Sequence, residues 1–406
     1  MHHRFANGLD LVAELHPSMK STAVGFFVRA GSRDERDELW GVSHFLEHMA
    51  FKGRGDVSAD DINRRFDEIG ANYNASTSEE VTTYYAGVLP EYLPEAIDLL
   101  ATLLRPDLRQ EDFDLEKQVI IEEIGMYDDA PGFLTYEQLM AAHFGDHPLG
   151  RSILGSPESI RDLSREGMVD YHAQRYGAAA MTLVVAGNAD WDAVCGLAER
   201  HCGDWASGDA TRPTSEPPPS TRQAVMHRPT MLMQTLAFGA AAPPATSPHR
   251  VAAEVLSIIV GDDTGSRLYW EFIDPGFADT CELSFNEYDG AGLWMTYLAC
   301  VPERAAELVD GVRTVYDRIN RDGIEDDELE RARNKLAARL VLGSERPMGR
   351  LGALGSHWVY RGREVTVDEE LAEIRSVTQE AIRDLLDAYP LAMHSSAMIG
   401  PLEGLE

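Results

Sequence analysis

The sequence predicts an α+β fold made of two homologous halves. Three observations predict it: β-rich runs that end at glycine alternate with segments of helical periodicity, a connector rich in proline, serine and threonine lies at residues 206–222, and the second half repeats the element order of the first. A chain of 406 residues also exceeds the size of one ordinary core. We therefore expect two domains, 1–205 and 223–406, each with an antiparallel sheet flanked by helices.

In the first half, strands are expected where β-branched and aromatic residues cluster, and helices where apolar residues recur every three or four positions. The expected strands are "LDLVAEL", "TAVGFFVRAG", "NYNASTSEEVTTYYAGVL" and "MTLVVAGNA". The expected helices are "SRDERDELWGVSHFLEHMAF", "SADDINRRFDEIG", "EYLPEAIDLLATLLRP", "EDFDLEKQVIIEEIGMYDD", "PESIRDLSREGMVDYHAQRY" and "DWDAVCGLAERHCGDW".

The second half repeats this order with different chemistry. "TMLMQTLAFGA" is expected as a strand and "SPHRVAAEVLSIIVG" as the helix after it. A later helix, "EDDELERARNKLAARLVLG", matches the late helix "EDFDLEKQVIIEEIG" of the first half. This pattern indicates an internal duplication in which the second copy lacks the histidines of the first.

The formal net charge of −32 arises from 68 acidic and 36 basic side chains. An acidic surface repels nucleic acid and anionic membranes and attracts cationic peptides. We therefore expect neither nucleic acid nor a membrane as a partner. An acidic proteome or a saline habitat would give the same charge without any bearing on the substrate, and this alternative stays open.

The cysteine pattern and the N-terminus indicate a cytoplasmic protein. The chain has four cysteines and no C-x-x-C pair, so neither a disulfide scaffold nor a thiolate zinc site is expected. "MHHRFANGLDLVAEL" has no apolar core of signal-peptide length, and no stretch approaches the roughly 18 apolar residues of a membrane span.

The pentapeptide "HFLEH", residues 44–48, has the spacing of a metal site. Residues four apart on a helix project from one face, so His44 and His48 can present two imidazole nitrogens to one ion. Zinc favours imidazole and carboxylate ligands, and its catalytic sites leave one position for water. Glu47 could then act as the base on that water. The alternative is two surface histidines that lie beside a glutamate by chance.

A third ligand is expected from the helix "EDFDLEKQVIIEEIGMYDD". Its glutamates lie among isoleucines and valine, and a carboxylate in an apolar run needs a partner. Glu116 and Glu123 are seven residues apart and share a face, whereas Glu122 points elsewhere. One of the two can bind metal while the other orients a histidine. A solvated acidic helix edge is the alternative.

These motifs together resemble a known family. "VGFFVRAGSRDE", "GVSHFLEHMAFKG", "GANYNASTSEEVTTYYAGV", "FDLEKQVIIEEIGMYDD" and "MTLVVAGNAD" are similar to segments of the inverzincin metallopeptidases, the M16 family of pitrilysin, insulysin and mitochondrial processing peptidase. The signature of that family is H-x-x-E-H followed about 75 residues later by a glutamate ligand. His48 and Glu123 are 75 residues apart.

The resemblance implies the roles of the site residues. His44, His48 and Glu123 would bind one Zn²⁺ per chain, Glu47 would be the general base, and Glu116 would orient a ligand. Family members bind substrate as an added strand, which would here run along Asn74, Ala75, Ser76 and Thr77. The implied protein is a zinc endopeptidase or oligopeptidase that forms half of a clamshell and cleaves short or unfolded peptides.

The second half departs from the family pattern after "GDDTGSRLYWEF". Active homodimeric relatives carry an arginine and a tyrosine there that hold the substrate backbone, but Ile273 and Asp279 occupy these positions. Arg267 and Tyr269 are weak substitutes and are expected to be structural. Some family enzymes divide the two functions between subunits, so we predict that this chain is the zinc subunit of a heterodimer. A homodimer is less expected, and a non-catalytic structural subunit of a larger complex is the alternative.

Overall fold

Helices and strands follow one another along the chain, and the strands form two larger sheets and one small one among the described residues. This architecture confirms the predicted α+β class. The computed structural model describes residues 1–127, 129–208 and 211–405. The strands are β1 (His2–Arg4), β2 (Asp10–Leu15), β3 (Thr22–Val28), β4 (Gly53–Arg54), β5 (Val57–Ser58), β6 (Asn72–Thr77), β7 (Thr82–Val88), β8 (Met181–Gly187), β9 (Gln223–His227), β10 (Gln234–Ala241), β11 (Thr280–Tyr288), β12 (Ala291–Cys300) and β13 (Ser395–Gly400).

The helices mostly coincide with the periodic segments of the sequence. They are α1 (Val42–Ala50), α2 (Ala59–Glu68), α3 (Leu93–Leu103), α4 (Gln110–Tyr127), α5 (Pro131–Phe144), α6 (Pro157–Asp162), α7 (Arg165–Arg175), α8 (Trp191–Cys202), α9 (Arg250–Gly261), α10 (Ala305–Asp322), α11 (Asp326–Ser344), α12 (Pro347–Arg361), α13 (Val367–Ser376) and α14 (Gln379–Ala388). Among the described residues, none of these helices has both the length and the apolar content needed to cross a bilayer.

Two predicted elements are divided in the structure. The helix expected over residues 32–51 begins only at Val42, because Gly41 adopts a left-handed φ of 92° that ends the regular helix on its N-terminal side. The strand expected over residues 72–89 is a hairpin, β6 and β7. The Ser78 hydroxyl accepts the N–H of Val81 at 3.2 Å and favours the turn between them.

The two larger sheets have the same topology. The first sheet has the order β1-β2-β8-β3-β7-β6 and the second has the order β11-β12-β10-β13-β9. Each contains one parallel pair, β2 with β8 and β13 with β9, and its other pairs are antiparallel. With β1 left aside, β2, β3, β6, β7 and β8 correspond in order to β9 through β13. The repeated order supports the predicted duplication, and β6 and β11 occupy equivalent edges.

The compact units are not contiguous in sequence. The first contains residues 1–125, 151–213 and 342–365, and the second contains the remaining described residues. Helix α12 belongs to the first unit because Leu351 and Leu354 pack with the core of β3 and β8. Helix α5 belongs to the second, since Leu139 packs on β10 and β13. The division into 1–205 and 223–406, which assumes contiguous halves, stays a prediction.

The core of the first unit positions the two helices that carry the candidate site. Helix α1 buries Val42, Phe45, Leu46 and Met49 in this core. The Phe45 ring stacks on the ring of Phe113 in α4, with centroids 4.6 Å apart. This contact holds α4 beside α1 and brings the acidic residues of α4 toward the histidine motif.

Candidate metal centre

The start of helix α1 is held by a buried carboxylate. Glu35 accepts the backbone N–H groups of Gly41 and Ser43, both at 2.7 Å. The first N–H groups of a helix have no intrahelical partner, so these bonds satisfy groups that burial would otherwise leave unpaired. The helix start is thereby fixed directly before His44. Sequence analysis gave no role to Glu35.

The structure brings His44, His48 and Glu123 together. The two imidazole rings lie one turn apart with centroids 4.6 Å apart. Oε2 of Glu123 lies 3.8 Å from Nε2 of His44 and 3.5 Å from Nε2 of His48. One ligand atom from each residue lies within 4.8 Å of the others. A tetrahedral zinc ion with ligands at about 2.0–2.2 Å separates them by roughly 3.5 Å, so the donor set fits zinc.

The two histidines have different electrostatic environments. Burial, with a smaller contribution from His48, lowers the pKa of His44 to about 3, so its imidazole is neutral. Burial also lowers the pKa of His48, but the hydrogen bond to Glu116 and the charge of Glu123 outweigh burial and raise that pKa. A neutral imidazole is the form that binds a metal, and an adjacent carboxylate strengthens it as a ligand.

Glu116 contacts the face of His48 that points away from Glu123. Its carboxylate lies 2.9 Å from Nδ1 of His48 and forms an ion pair with Lys52. Burial raises the pKa of Glu116, but the hydrogen bonds from His48 and Lys52 outweigh burial and lower it. An ionised Glu116 favours the proton on Nδ1, which leaves Nε2 free to bind. The sequence gave no expectation for Lys52, although its position four residues after His48 was a usable signal.

Glu47 projects beside the two histidines and is partly buried. Its Oε2 accepts the hydroxyl hydrogen of Thr77, with an oxygen–oxygen distance of 2.6 Å. Burial raises the pKa of Glu47, and the hydrogen bond from Thr77 opposes this shift only in part. A raised pKa makes a carboxylate a stronger base toward a proton. The resemblance had implied a role for Thr77 only as part of the substrate strand.

The predicted substrate strand coincides with β6, the last strand of its sheet among the described residues. One side of β6 pairs with β7, where Asn74 lies opposite Tyr85 and Thr77 opposite Thr82. Asn74 and Ser76 are exposed, whereas Ala75 is buried against the core. An edge strand of this kind can receive an extended peptide through main-chain hydrogen bonds.

The residues considered for substrate clamping have other environments in the second unit. Ile273 packs against the core of that unit. Asp279 is exposed, and its backbone N–H donates to Ala299. Arg267 forms two hydrogen bonds to the carboxylate of Glu328, at 2.8 and 2.7 Å. This bidentate pair gives Arg267 a contact within the second unit.

Fold and site together define a zinc metallopeptidase. The chain matches two family models, "Insulinase (Peptidase family M16)" over residues 11–157 and "Peptidase M16 inactive domain" over residues 162–336. It is 33% identical over 401 residues to a protein of Mycobacterium bovis named an uncharacterized zinc protease, with 97% of this chain and 91% of that protein covered.

Two solved structures share the fold. A protease from Helicobacter pylori is 19% identical with a TM-score of 0.90, and the similarity covers 98% of each chain. A chain of complex III from Candida albicans is 16% identical with a TM-score of 0.85, over 100% of this chain and 97% of that one. The chain belongs to the M16 peptidase family, as its sequence motifs predicted.

Proposed function

We propose that this protein is a zinc-dependent endopeptidase or oligopeptidase that hydrolyses short or unfolded peptides. The observation that carries the proposal is the convergence of His44, His48 and Glu123 beside a glutamate, Glu47, that a hydroxyl group holds in place. In this proposal His44, His48 and Glu123 bind one zinc ion per chain. Glu116 orients His48 through its Nδ1.

The reaction divides between the metal and the side chains. Bound zinc would supply Lewis acidity, which lowers the pKa of a water molecule and polarises the scissile carbonyl. Glu47 takes the proton from the attacking water and delivers it to the leaving amine. The Thr77 hydroxyl keeps the Glu47 carboxylate in one position during both transfers. Partial burial of the site keeps Glu47 basic enough for this role.

Substrate is proposed to bind as an additional strand on β6, along Asn74, Ala75, Ser76 and Thr77. Main-chain pairing supplies affinity without demanding a particular sequence. The excess of acidic side chains, 68 against 36 basic ones, favours basic peptides as substrates. Nucleic acid and membranes are not expected partners for the same reason.

The proposed assembly is a heterodimer with a homologous subunit that lacks zinc and supplies the arginine and tyrosine. It rests on Ile273 and Asp279, neither of which can donate a fixed cationic or phenolic group to a substrate backbone. The hydrogen bonds of Arg267 to Glu328 are a further argument, because Arg267 is the arginine nearest to Ile273 in the sequence and its guanidinium already has a partner. A homodimer is less favoured, and a cytoplasmic location stays a prediction.

A non-catalytic structural subunit is the second candidate, and the similarity to a chain of complex III favours it. The intact donor set argues against it, because a purely structural subunit has no need of two histidines opposed by a glutamate.

Metal analysis and peptide cleavage test the proposal. The purified chain should contain close to one zinc, and a chelator should abolish cleavage of an unstructured basic peptide. Glu47→Gln should retain zinc and lose about 10²–10⁴-fold in kcat. A zinc-free chain, or an active Glu47→Gln variant, contradicts the assignment. Full activity of the isolated chain, unchanged by any co-purifying partner, contradicts the heterodimer.

A further inference from the structure

One five-residue segment, 31–35, contacts two parts of the candidate site. One is the helix α1, which carries the histidines, and the other is the turn that follows the edge strand β6. Its last residue, Glu35, caps the helix that carries the histidines. The N–H groups of its second and third residues donate to the carbonyls of Ser78 and Glu79, at 3.3 and 2.8 Å. These carbonyls lie in the β6–β7 turn, residues 78–81. The segment therefore holds both the start of α1 and the turn that follows the edge strand.

Side chains join the same two regions through a buried ion cluster, which consists of Arg33, Asp34, Glu80 and Arg212. Arg33 contacts the Glu80 carboxylate at 2.6 Å, and both side chains are at most 2% exposed. Asp34 and Arg212 contact each other at 2.5 Å and are as fully buried. Buried charges are stable only when they are paired and hydrogen-bonded, so loss of one member disturbs the others.

Arg212 bridges the segment and the turn. Its Nε and Nη2 donate to the two carboxylate oxygens of Asp34, at 3.0 and 2.5 Å, and Nη2 also donates to the backbone carbonyl of Glu80 at 2.6 Å. The planar guanidinium fork makes this geometry possible, and a lysine cannot reproduce it. Arg212 lies in the predicted connector, residues 206–222, so this part of the connector is pinned inside the first unit.

We propose that Arg212 is a positioning residue for the catalytic base. It acts through the β6–β7 turn, which begins directly after Thr77 and closes the Thr77–Thr82 pair of the hairpin. With the turn fixed, the Thr77 hydroxyl stays on the Glu47 carboxylate. The inference rests on the proposed function, in which Glu47 is the base.

Arg212→Met tests the proposal, and Arg175→Met is its matched control. Arg175 donates to the carbonyl of Thr211 in the same connector at 3.1 Å and approaches Asp34 at 3.5 Å, but among the described residues it has no hydrogen bond or ion pair to the turn. We expect Arg212→Met to lower kcat by about 10²-fold with a smaller change in KM and no loss of zinc. Arg175→Met should lower the melting temperature and keep kcat. If Arg212→Met does not fold, Arg212→Lys replaces it, with a smaller loss of kcat in the same direction.

A double-mutant cycle with Thr77→Val shows whether Arg212 acts through Thr77. If it does, the double variant has the kcat of Thr77→Val alone, because the shared contact is lost only once. Losses that multiply, or an unchanged kcat of Arg212→Met in an active protein, overturn the proposal. A wild-type protein that cleaves no peptide contradicts the proposed function instead.

Hydrogen exchange of the backbone amides tests the proposal without a measurement of peptide cleavage. The backbone amides of residues 76–83 should exchange faster in Arg212→Met than in the wild type or in Arg175→Met, because the turn has lost its buried brace. Equal exchange in the three proteins means that Arg212 does not hold the turn, and it overturns the proposal whatever the activity.

Discussion

The two sheets share one topology, but the charged and titratable residues on the helices beside them pair differently. In the first unit, the histidines of α1 face the acids of α4, Glu116 and Glu123. In the second unit, the bases of α11, Lys335 and Arg339, both contact Asp262 at 2.7 Å.

The helix α9, which follows β10 as α1 follows β3, differs in the same way. Its Arg250 forms ion pairs with Glu254 on α9 and with Glu287 on β11. The acids and bases of the second unit are paired with one another, whereas imidazoles opposed by carboxylates leave lone pairs that can bind a cation. The comparison shows that a duplicated scaffold retains its topology while the chemistry is carried by a few side chains of one copy.

The largest expected effect is loss of the metal. Glu123→Gln should reduce bound zinc to background and abolish peptide cleavage, because it removes the anionic ligand opposite the histidines. Glu122→Gln is the matched control, since Glu122 is exposed at the preceding position of the same helix. Metal analysis by mass spectrometry checks both. If Glu123→Gln retained zinc, Glu123 would not be a required ligand. That result would contradict the metal-binding set that distinguishes the first unit from the second.

A weaker effect is expected at the acid that orients His48. Glu116→Gln should keep the ligands but weaken zinc binding by about 10–100-fold, because His48 loses the charged acceptor at Nδ1. Competition with a zinc-binding dye measures the affinity. The control is Asp114→Asn, an exposed acid two residues earlier on α4. Equal affinities for both variants would show that the pairing with His48 has no influence on the metal.

A buried histidine of the second unit gives a pH dependence. His143 contacts the hydroxyl of Ser395 at 2.9 Å, and burial, with a smaller contribution from His394, lowers the pKa of His143 to about 4. Below pH 6.5 the unfolded chain gains this proton but the folded chain does not until about pH 4, so stability falls as pH falls through that window.

The expected loss between pH 7 and 5 is on the order of 2 kcal/mol of unfolding free energy. His143→Asn, which cannot titrate there, should lose correspondingly less than the wild type. Denaturant unfolding of the metal-free proteins at both pH values measures the difference. The same pH dependence in both proteins would contradict a neutral buried His143.

The smallest effect is expected at the ion pairs of Asp262 in the second unit. Asp262→Asn should destabilise the chain by about 1 kcal/mol, because its partners Lys335 and Arg339 are partly exposed and stay hydrated when it is neutralised. Zinc content should not change. Thermal unfolding and metal analysis check the two parts. A loss of zinc would show that the second unit influences the metal centre.

Particular residues show how far sequence reasoning reached. The spacing of His44 and His48 was readable because a helix imposes local periodicity, whereas the 75-residue interval to Glu123 gained its meaning from the family resemblance. Periodicity placed Glu116 and Glu123 on one helix face, and the resemblance assigned to Glu116 the role of orienting a histidine, which its contact with His48 matches. The role of Thr77 as a donor to Glu47 was missed, since it depends on a strand and a helix meeting across the fold.

The sequence by itself determined the α+β class, the family and the residues able to bind a metal. The class depends on residue type and on periodicity within single elements, which short-range geometry controls, and the family and the metal-binding residues depend on motifs recognised in the sequence. Only the tertiary structure decided that Glu35 caps α1, that Arg212 is buried in an ion cluster, and that α5 and α12 join non-adjacent parts of the chain. These contacts depend on burial and on pairing between residues far apart in the chain, and neither produces a periodic pattern in the sequence.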